Sequence, residues 1–124
     1  MDMLYHCLCI LYGYRSNNTT VPELRIYKLW ETPIGPHPVA MFEVNLFTPA
    51  QFGAFIPWLV INRGPLSVLI HPNTVDPVTG EGTEEERNHT QRATWMGERL
   101  PLDTSLFKQL AKRKKERKAG VQTE

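Results

Sequence analysis

The spacing of apolar positions changes several times along this chain, and each change predicts an element. Leu24, Ile26, Lys28 and Trp30 alternate with Arg25, Tyr27 and Leu29, which predicts a strand with one face partly open. After the turn Pro33-Ile34-Gly35-Pro36-His37-Pro38, the run Val39 to Leu46 predicts a second strand, antiparallel to the first. Thr48 and Pro49 suit the N-cap and first position of a helix, and Phe52, Phe55, Ile56 and Leu59 follow at helical spacing up to Asn62. Arg63-Gly64 ends that helix, and Pro57 inside it predicts a kink or a break near Gly53-Ala54. Leu66 to Ile70 reads as a short strand buried on both faces and ending at His71.

Residues 73–87 turn to Gly, Thr, Asp, Pro and Glu, a solvated stretch that reads either as a lid leading into His89 or as a variable surface insertion. Gln91 to Gly97 predicts a last short strand or extended arm. Leu106, Phe107 and Leu110 open a helical pattern that runs into Lys112-Arg113-Lys114-Lys115-Glu116-Arg117-Lys118, expected to be a frayed, solvated terminus.

Composition narrows the function classes. A chain of 124 residues is one domain and buries roughly two-thirds of its unfolded surface, enough for a single core. A net charge of +1 and a pI near 7.8 predict no nucleic-acid partner, so a nucleic-acid module acting through the basic tail is the weakest reading. Cys7 and Cys9 are too close together for an unstrained bridge in an extended segment, and read as free thiols in a reducing compartment. The longest apolar run, Met3 to Tyr12, is about half the ~20 residues needed to span a bilayer and lacks the flanks of a secretory signal. The expectation is a cytoplasmic protein with no membrane partner, in which Asn17, Asn18 and Asn88 are not glycosylation acceptors.

Two of the four histidines, His37 and His71, stand in proline-bracketed turns. Proline fixes its own φ and pushes the preceding residue into an extended conformation, so these imidazoles leave the backbone in defined directions, as metal ligands do. Either alone also suits a turn histidine bonded to nearby backbone.

Taken in order, Glu23 to Trp30, the Pro-Ile-Gly-Pro-His-Pro turn, Phe52 to Gly64, Leu69-Ile70-His71-Pro72-Asn73-Thr74, Asn88-His89-Thr90 and Trp95-Met96-Gly97-Glu98 resemble the DOPA 4,5-dioxygenase family. The likeness covers Glu23 to Phe107. It implies an α+β, ferredoxin-like sandwich, a mainly antiparallel sheet with helices on one face, and extradiol cleavage of a catechol such as DOPA with O2. It divides the chain into a divergent segment at 1–22, a dioxygenase-like domain at 23–107 and a basic tail at 108–124.

For ring cleavage the implied cofactor is Fe(2+), or another divalent metal, held on one face by two His and a carboxylate so that positions stay open for catechol and oxygen. His37 and His71 are the expected metal ligands. Glu43 shares a strand face with Val39, Met41 and Asn45, in phase with His37 if the strand extends back, and is expected as ligand, partner of a ligand, or base. An exposed Glu43 paired with Arg25 or Lys28 is the competing reading. His89 is expected as the general base that takes a catechol proton, oriented by Asn88 or Thr90, or else as the third ligand. Asn73 and Thr74 are expected to fix the turn and donate to substrate oxygens. Trp58 and Trp95 read as core or interface residues.

The first 22 residues depart from the family's opening His-x-His strand and helix. Tyr5-His6-Cys7-Leu8 keeps at most one histidine, and the stretch from Gly13 to Glu23 is shorter than a crossover helix needs. The first strand and helix are therefore expected to be incomplete, either because the true ones lie upstream or because the chain is a natural variant with an impaired site. Met3 to Tyr12 is apolar enough to fill the central strand position. Phe55, Trp58 and that apolar run are expected to drive formation of a homodimer. The competing function is a non-catalytic ferredoxin-like domain that binds a metal or a partner.

Overall fold

The structure, a computed structural model, describes residues 7–12 and 24–121. Its strands are β1 (Cys7–Tyr12), β2 (Arg25–Ile26), β3 (Met41–Leu46), β4 (Ser67–Pro72), β5 (Thr74–Val75), β6 (Gly82–Thr83) and β7 (Thr94–Met96), and its helices are α1 (Pro49–Asn62), α2 (Glu85–His89) and α3 (Ser105–Val121). Five strands form one sheet in the order β2-β3-β1-β4-β7, and β5 and β6 form a separate ribbon. The outer pairs, β2 with β3 and β4 with β7, are antiparallel. The central strand β1 is parallel to both neighbours, so the ferredoxin-like α+β sandwich has a mixed sheet where a mainly antiparallel one was expected.

Strand alternation sorts the core into two layers. Ile10, Val44, Leu46, Val68 and Ile70 meet Leu59 of α1, with Phe42, Phe52, Phe55, Ile56 and Met96 around them. On the opposite face Met41 and Leu69 gather Trp30, Ile34, Val39, Trp95, Leu100 and Leu102. β4 is buried over its first five residues because both faces are covered. α1 covers the first face, and His89 of α2 and Phe107 of α3 close over the His71 end of the second.

α1 starts as its sequence dictates. Thr48 is extended (φ −136°, ψ 154°), its hydroxyl accepts from the Gln51 N–H at 3.1 Å, and Gln51 Oε1 reaches back to the Phe47 N–H at 2.8 Å. The helix runs unbroken through Pro57, so the break expected near Gly53-Ala54 does not occur. It ends where the Arg63 N–H bonds to the Leu59 carbonyl and Gly64 takes a φ of +61°, a conformation glycine adopts without a Cβ penalty.

Three further expectations are corrected. The strand foreseen over Leu24–Trp30 shrinks to Arg25–Ile26 and an isolated bridge from Trp30 to Met41. The stretch 73–87 is built rather than merely solvated. β5 and β6 pair across a turn in which Asp76 Oδ1 accepts from the N–H groups of Val78 and Thr79 at 2.7 and 3.0 Å, and α2 follows at once. The tail is a regular exposed helix to Val121, tied back by Lys114 Nζ donating to the Gly82 carbonyl at 2.6 Å. The segment between Tyr12 and Leu24, His6 and most of Met3 to Tyr12 lie outside the described residues or side chains, apart from β1, which does fill the central position. Among the described residues no helix is long and apolar enough to cross a membrane.

Candidate active site

Three histidines far apart in sequence meet at one end of the second sheet face. His71 is the fifth residue of β4, on the side of Leu69. His37 sits in the proline turn, where its N–H bonds to the Ile34 carbonyl at 3.1 Å and Gly35 has a φ of +57°. β3 begins only at Met41, so His37 is carried by this turn and not by a strand running back from Glu43. The Asp103 N–H bonds to the Pro36 carbonyl at 2.9 Å and fastens the turn to the segment that enters α3. His89 is the last residue of α2.

The His71 and His89 rings lie 3.9 Å apart between centroids, and His37 and His89 6.4 Å. All three are buried, at 6, 2 and 8 % exposure for His37, His71 and His89. Phe107 of α3 closes over His89 with its ring centroid 4.7 Å away. In the sequence Phe107 carried no signal beyond helical spacing.

Local bonding fixes two of the tautomers. His71 Nδ1 lies 2.9 Å from the Pro72 carbonyl and His89 Nδ1 lies 2.7 Å from the Glu85 carbonyl. A carbonyl only accepts, so both rings carry their proton on Nδ1 and keep the lone pair on Nε2. His89 is thus oriented by the Glu85 carbonyl, not by Asn88 or Thr90. Nδ1 of His37 is buried without a hydrogen-bond partner among the described residues. Burial, aided by repulsion from His89, lowers His37 and His71 to about 4, and burial lowers His89 as well against the opposing pull of Glu85. At neutral pH the cluster is three neutral imidazoles.

Asn88 ties His89 to the ribbon. Its amide donates to Thr74 Oγ1 at 2.9 Å and to the Thr83 carbonyl at 3.3 Å, and its oxygen accepts from Arg92 at 3.1 Å. Thr74 Oγ1 donates to the same Thr83 carbonyl at 2.8 Å and accepts from Thr83 Oγ1 at 3.2 Å. Thr74 is therefore saturated as a structural joint, which removes it as a donor to substrate. Asn73 is exposed and makes no hydrogen bond among the described residues.

Glu43 faces the same side of the sheet as His71, but not the same place. Through Cys9 it is level with Leu69, which puts it two strands from β4 and one alternation short of His71. Strand spacing makes that separation roughly 10 Å or more. Glu43 pairs with neither Arg25 nor Lys28, since Lys28 Nζ lies 4.1 Å above the Trp30 ring and Arg25 stands opposite Asn45. Burial raises its carboxyl above the usual carboxylate range.

Neutral imidazoles and an unpartnered buried Nδ1 are donors of the right type for a divalent transition metal. The set is short, however, because among the described residues no three His, Cys, Asp or Glu side chains form a group that could hold a metal ion. Beside the cluster opens a cleft of about 400 Å³ lined by His89, Trp95, Arg99, Leu100, Pro101 and Leu102, among others. This is within the ~300–1,000 Å³ usual for small-molecule sites. A larger groove of about 750 Å³ runs between residues 76–91 and α3, with Phe107 on its wall and no histidine in its lining.

Comparison with known proteins matches residues 13–106 to the Dopa 4,5-dioxygenase family. An uncharacterized 21.2 kDa protein of Botryotinia fuckeliana is 77% identical over 93 residues, which is 75% of this chain and 50% of that one. The DOPA 4,5-dioxygenase of Amanita muscaria is 35% identical over 79 residues, 63% of this chain and 30% of that enzyme. The chain thus spans half or less of the length of these relatives. A crystal structure of a candidate dioxygenase from Nostoc punctiforme is 34% identical and superposes with a TM-score of 0.59 over 71% of this chain and 69% of its own.

Proposed function

This chain belongs to the Dopa 4,5-dioxygenase family, and from that premise we propose that it cleaves the ring of a catechol such as DOPA in the extradiol manner. Both atoms of O2 enter the product, a ring-opened semialdehyde acid, so no external reductant is required. The observation that carries this reading is the meeting of His37, His71 and His89, three neutral buried imidazoles from three separate elements, beside a cleft with aromatic and apolar walls.

His89 serves as the base. Its Nδ1–H is committed to the Glu85 carbonyl, its Nε2 carries the lone pair, and burial keeps it neutral, so it accepts a proton from a catechol hydroxyl in the cleft. His71, in the same tautomer, packs its ring against His89 with the centroids 3.9 Å apart. Phe107 covers His89 and keeps bulk water from it. Fe(2+), or another divalent metal, is the cofactor that suits this chemistry, where it would activate oxygen and catechol. His37 and His71 are the donors proposed for it. The donor set among the described residues is short of three.

Incubation of the protein with iron(II), oxygen and DOPA is expected to give a yellow ring-opened product, and His89→Ala is expected to lower its rate by about 10²–10⁴-fold. Stoichiometric metal binding with no product would instead favour the non-catalytic metal-binding domain. We also propose a homodimer through the exposed Trp58, Val60 and Ile61 of α1. Light scattering at micromolar concentration should then give twice the chain mass, and a strictly monomeric mass would end that proposal.

A further inference from the structure

The net charge of +1 is the sum of two unlike parts of the chain. α3 carries seven of the fourteen Lys and Arg residues and one of the thirteen acidic ones, Glu116, so the rest of the chain is net acidic. Overall charge, which argues against a nucleic-acid partner, therefore says nothing about the helix itself. The family match stops at Leu106, the second residue of α3. Beyond it the helix has two sides. Phe107 packs on His89, and at about 100° per residue Lys114 and Lys118 return to the side of Phe107. Lys114 Nζ bonds to the Gly82 carbonyl, and Lys118 stands with Asp76 on the wall of the groove between the ribbon and α3. The other five cations, Lys108, Lys112, Arg113, Lys115 and Arg117, are exposed and form no ion pair with any described residue. Lys108 and Lys112, like Arg113 and Arg117, are four residues apart, so like charges adjoin along the helix and destabilise it. Glu116 alone offsets them from within α3, and an anion laid along this side would relieve the repulsion.

We propose that the outer side of α3 binds the phosphate backbone of duplex nucleic acid without reading its sequence. From Lys108 to Arg117 the helix rises roughly 13 Å. A duplex presents a phosphate charge about every 1.7 Å along its axis, so several phosphates lie within reach of these cations at once. The partner is a duplex because this side has no aromatic ring on which an unpaired base could stack. It is not a membrane, because Gln109, Glu116 and Ala119 between the cations offer no large apolar side chain to bury among lipid headgroups. The surface is separate from the histidine cluster and independent of the chemistry there.

Fluorescence anisotropy of the full chain with a short labelled DNA duplex of mixed sequence tests this. The dissociation constant is expected on the order of 10⁻⁵ M near physiological salt, and to weaken about 10²-fold as salt rises from about 50 to about 200 mM, the dependence of about three to five phosphate contacts. K108Q/K112Q/K115Q should lower the salt slope by about one per lysine and weaken binding at least about tenfold at the lower salt. Glutamine matches lysine in helix propensity, and circular dichroism checks that α3 persists in this variant. R25Q/K28Q, which removes two cations beside β2, should leave affinity and slope unchanged. Absence of binding at low salt overturns the proposal, as does an affinity that salt does not alter. A loss in R25Q/K28Q as large as in the lysine variant, or tighter binding to phosphatidylserine vesicles than to the duplex, overturns it as well.

Discussion

Val68 and Ile70 point from β4 toward α1 into a layer made wholly of apolar side chains, whereas Leu69 and His71 of the same strand point into a layer that ends in three buried imidazoles. The two sides differ in what they do for the free energy of folding. Each large apolar side chain buried under α1 contributes ~1.5–3 kcal/mol. Each imidazole buried with a depressed pKa adds a penalty whenever the solution would protonate it. The α1 side holds the sheet together, and the opposite side keeps a set of groups that folding alone does not favour. Because β4 serves both, the rigidity of the first side fixes the position of His71 on the second.

The largest expected effect sharpens this contrast through pH. His37 and His71 are at about 4 in the folded protein against an ordinary 6.5, so the unfolded chain takes up protons first as pH falls. Stability is therefore fully present above about pH 6.5, is lost as pH drops toward 4, and has no further loss from these rings below that. For the metal-free protein the two rings together cost up to about 4 kcal/mol between pH 7 and pH 5. Glu43, raised by burial, acts in the opposite sense in the carboxylate range. Urea denaturation at a series of pH values checks this, and a flat profile would mean that the imidazoles are not held in the low-dielectric layer described.

Of similar size, Ile70→Ala is expected to cost about 2–5 kcal/mol at every pH, since it opens a cavity under α1 without touching a titrating group. His71→Leu should do the reverse, changing stability at neutral pH by no more than ~1 kcal/mol while flattening the pH slope. If the two variants shift the denaturation curves alike, the two faces are not distinct in the way proposed.

The smallest effect concerns the joint that holds His89. Asn88→Ala removes both amide donors to the ribbon and is expected to cost about 1–2 kcal/mol. Faster hydrogen exchange over Glu85–His89 than in β4 would show that the loss is local.

The contrast also explains what was legible in the sequence. α1 was readable almost to the residue because its signals are local: a threonine cap, a proline in the first turn, and apolar residues spaced for one face. The proline turn exposed His37 for the same reason, whereas His71, also expected in a turn, lies inside β4, which runs on through Pro72. α2 gave no such signal. Its N-cap, Glu84, has a positive φ and makes no side-chain cap bond, and the helix exists because Asn88 meets Thr74 and Thr83 across the ribbon. The expected roles of Glu43 and Thr74 depended on distances across strands, and alternation along one strand fixes a face, not a neighbour.

The joint between Asn88 and the ribbon bears on how the chain tolerates changes of length. A residue added at the Val78–Gly80 tip lengthens a hairpin whose ends stay paired. One added inside Glu85–Asn88 rotates everything after it by about 100° and carries His89 away from His71. A stretch whose composition suggests free variation therefore has an indel-tolerant half and an indel-intolerant half, with the boundary near Thr83.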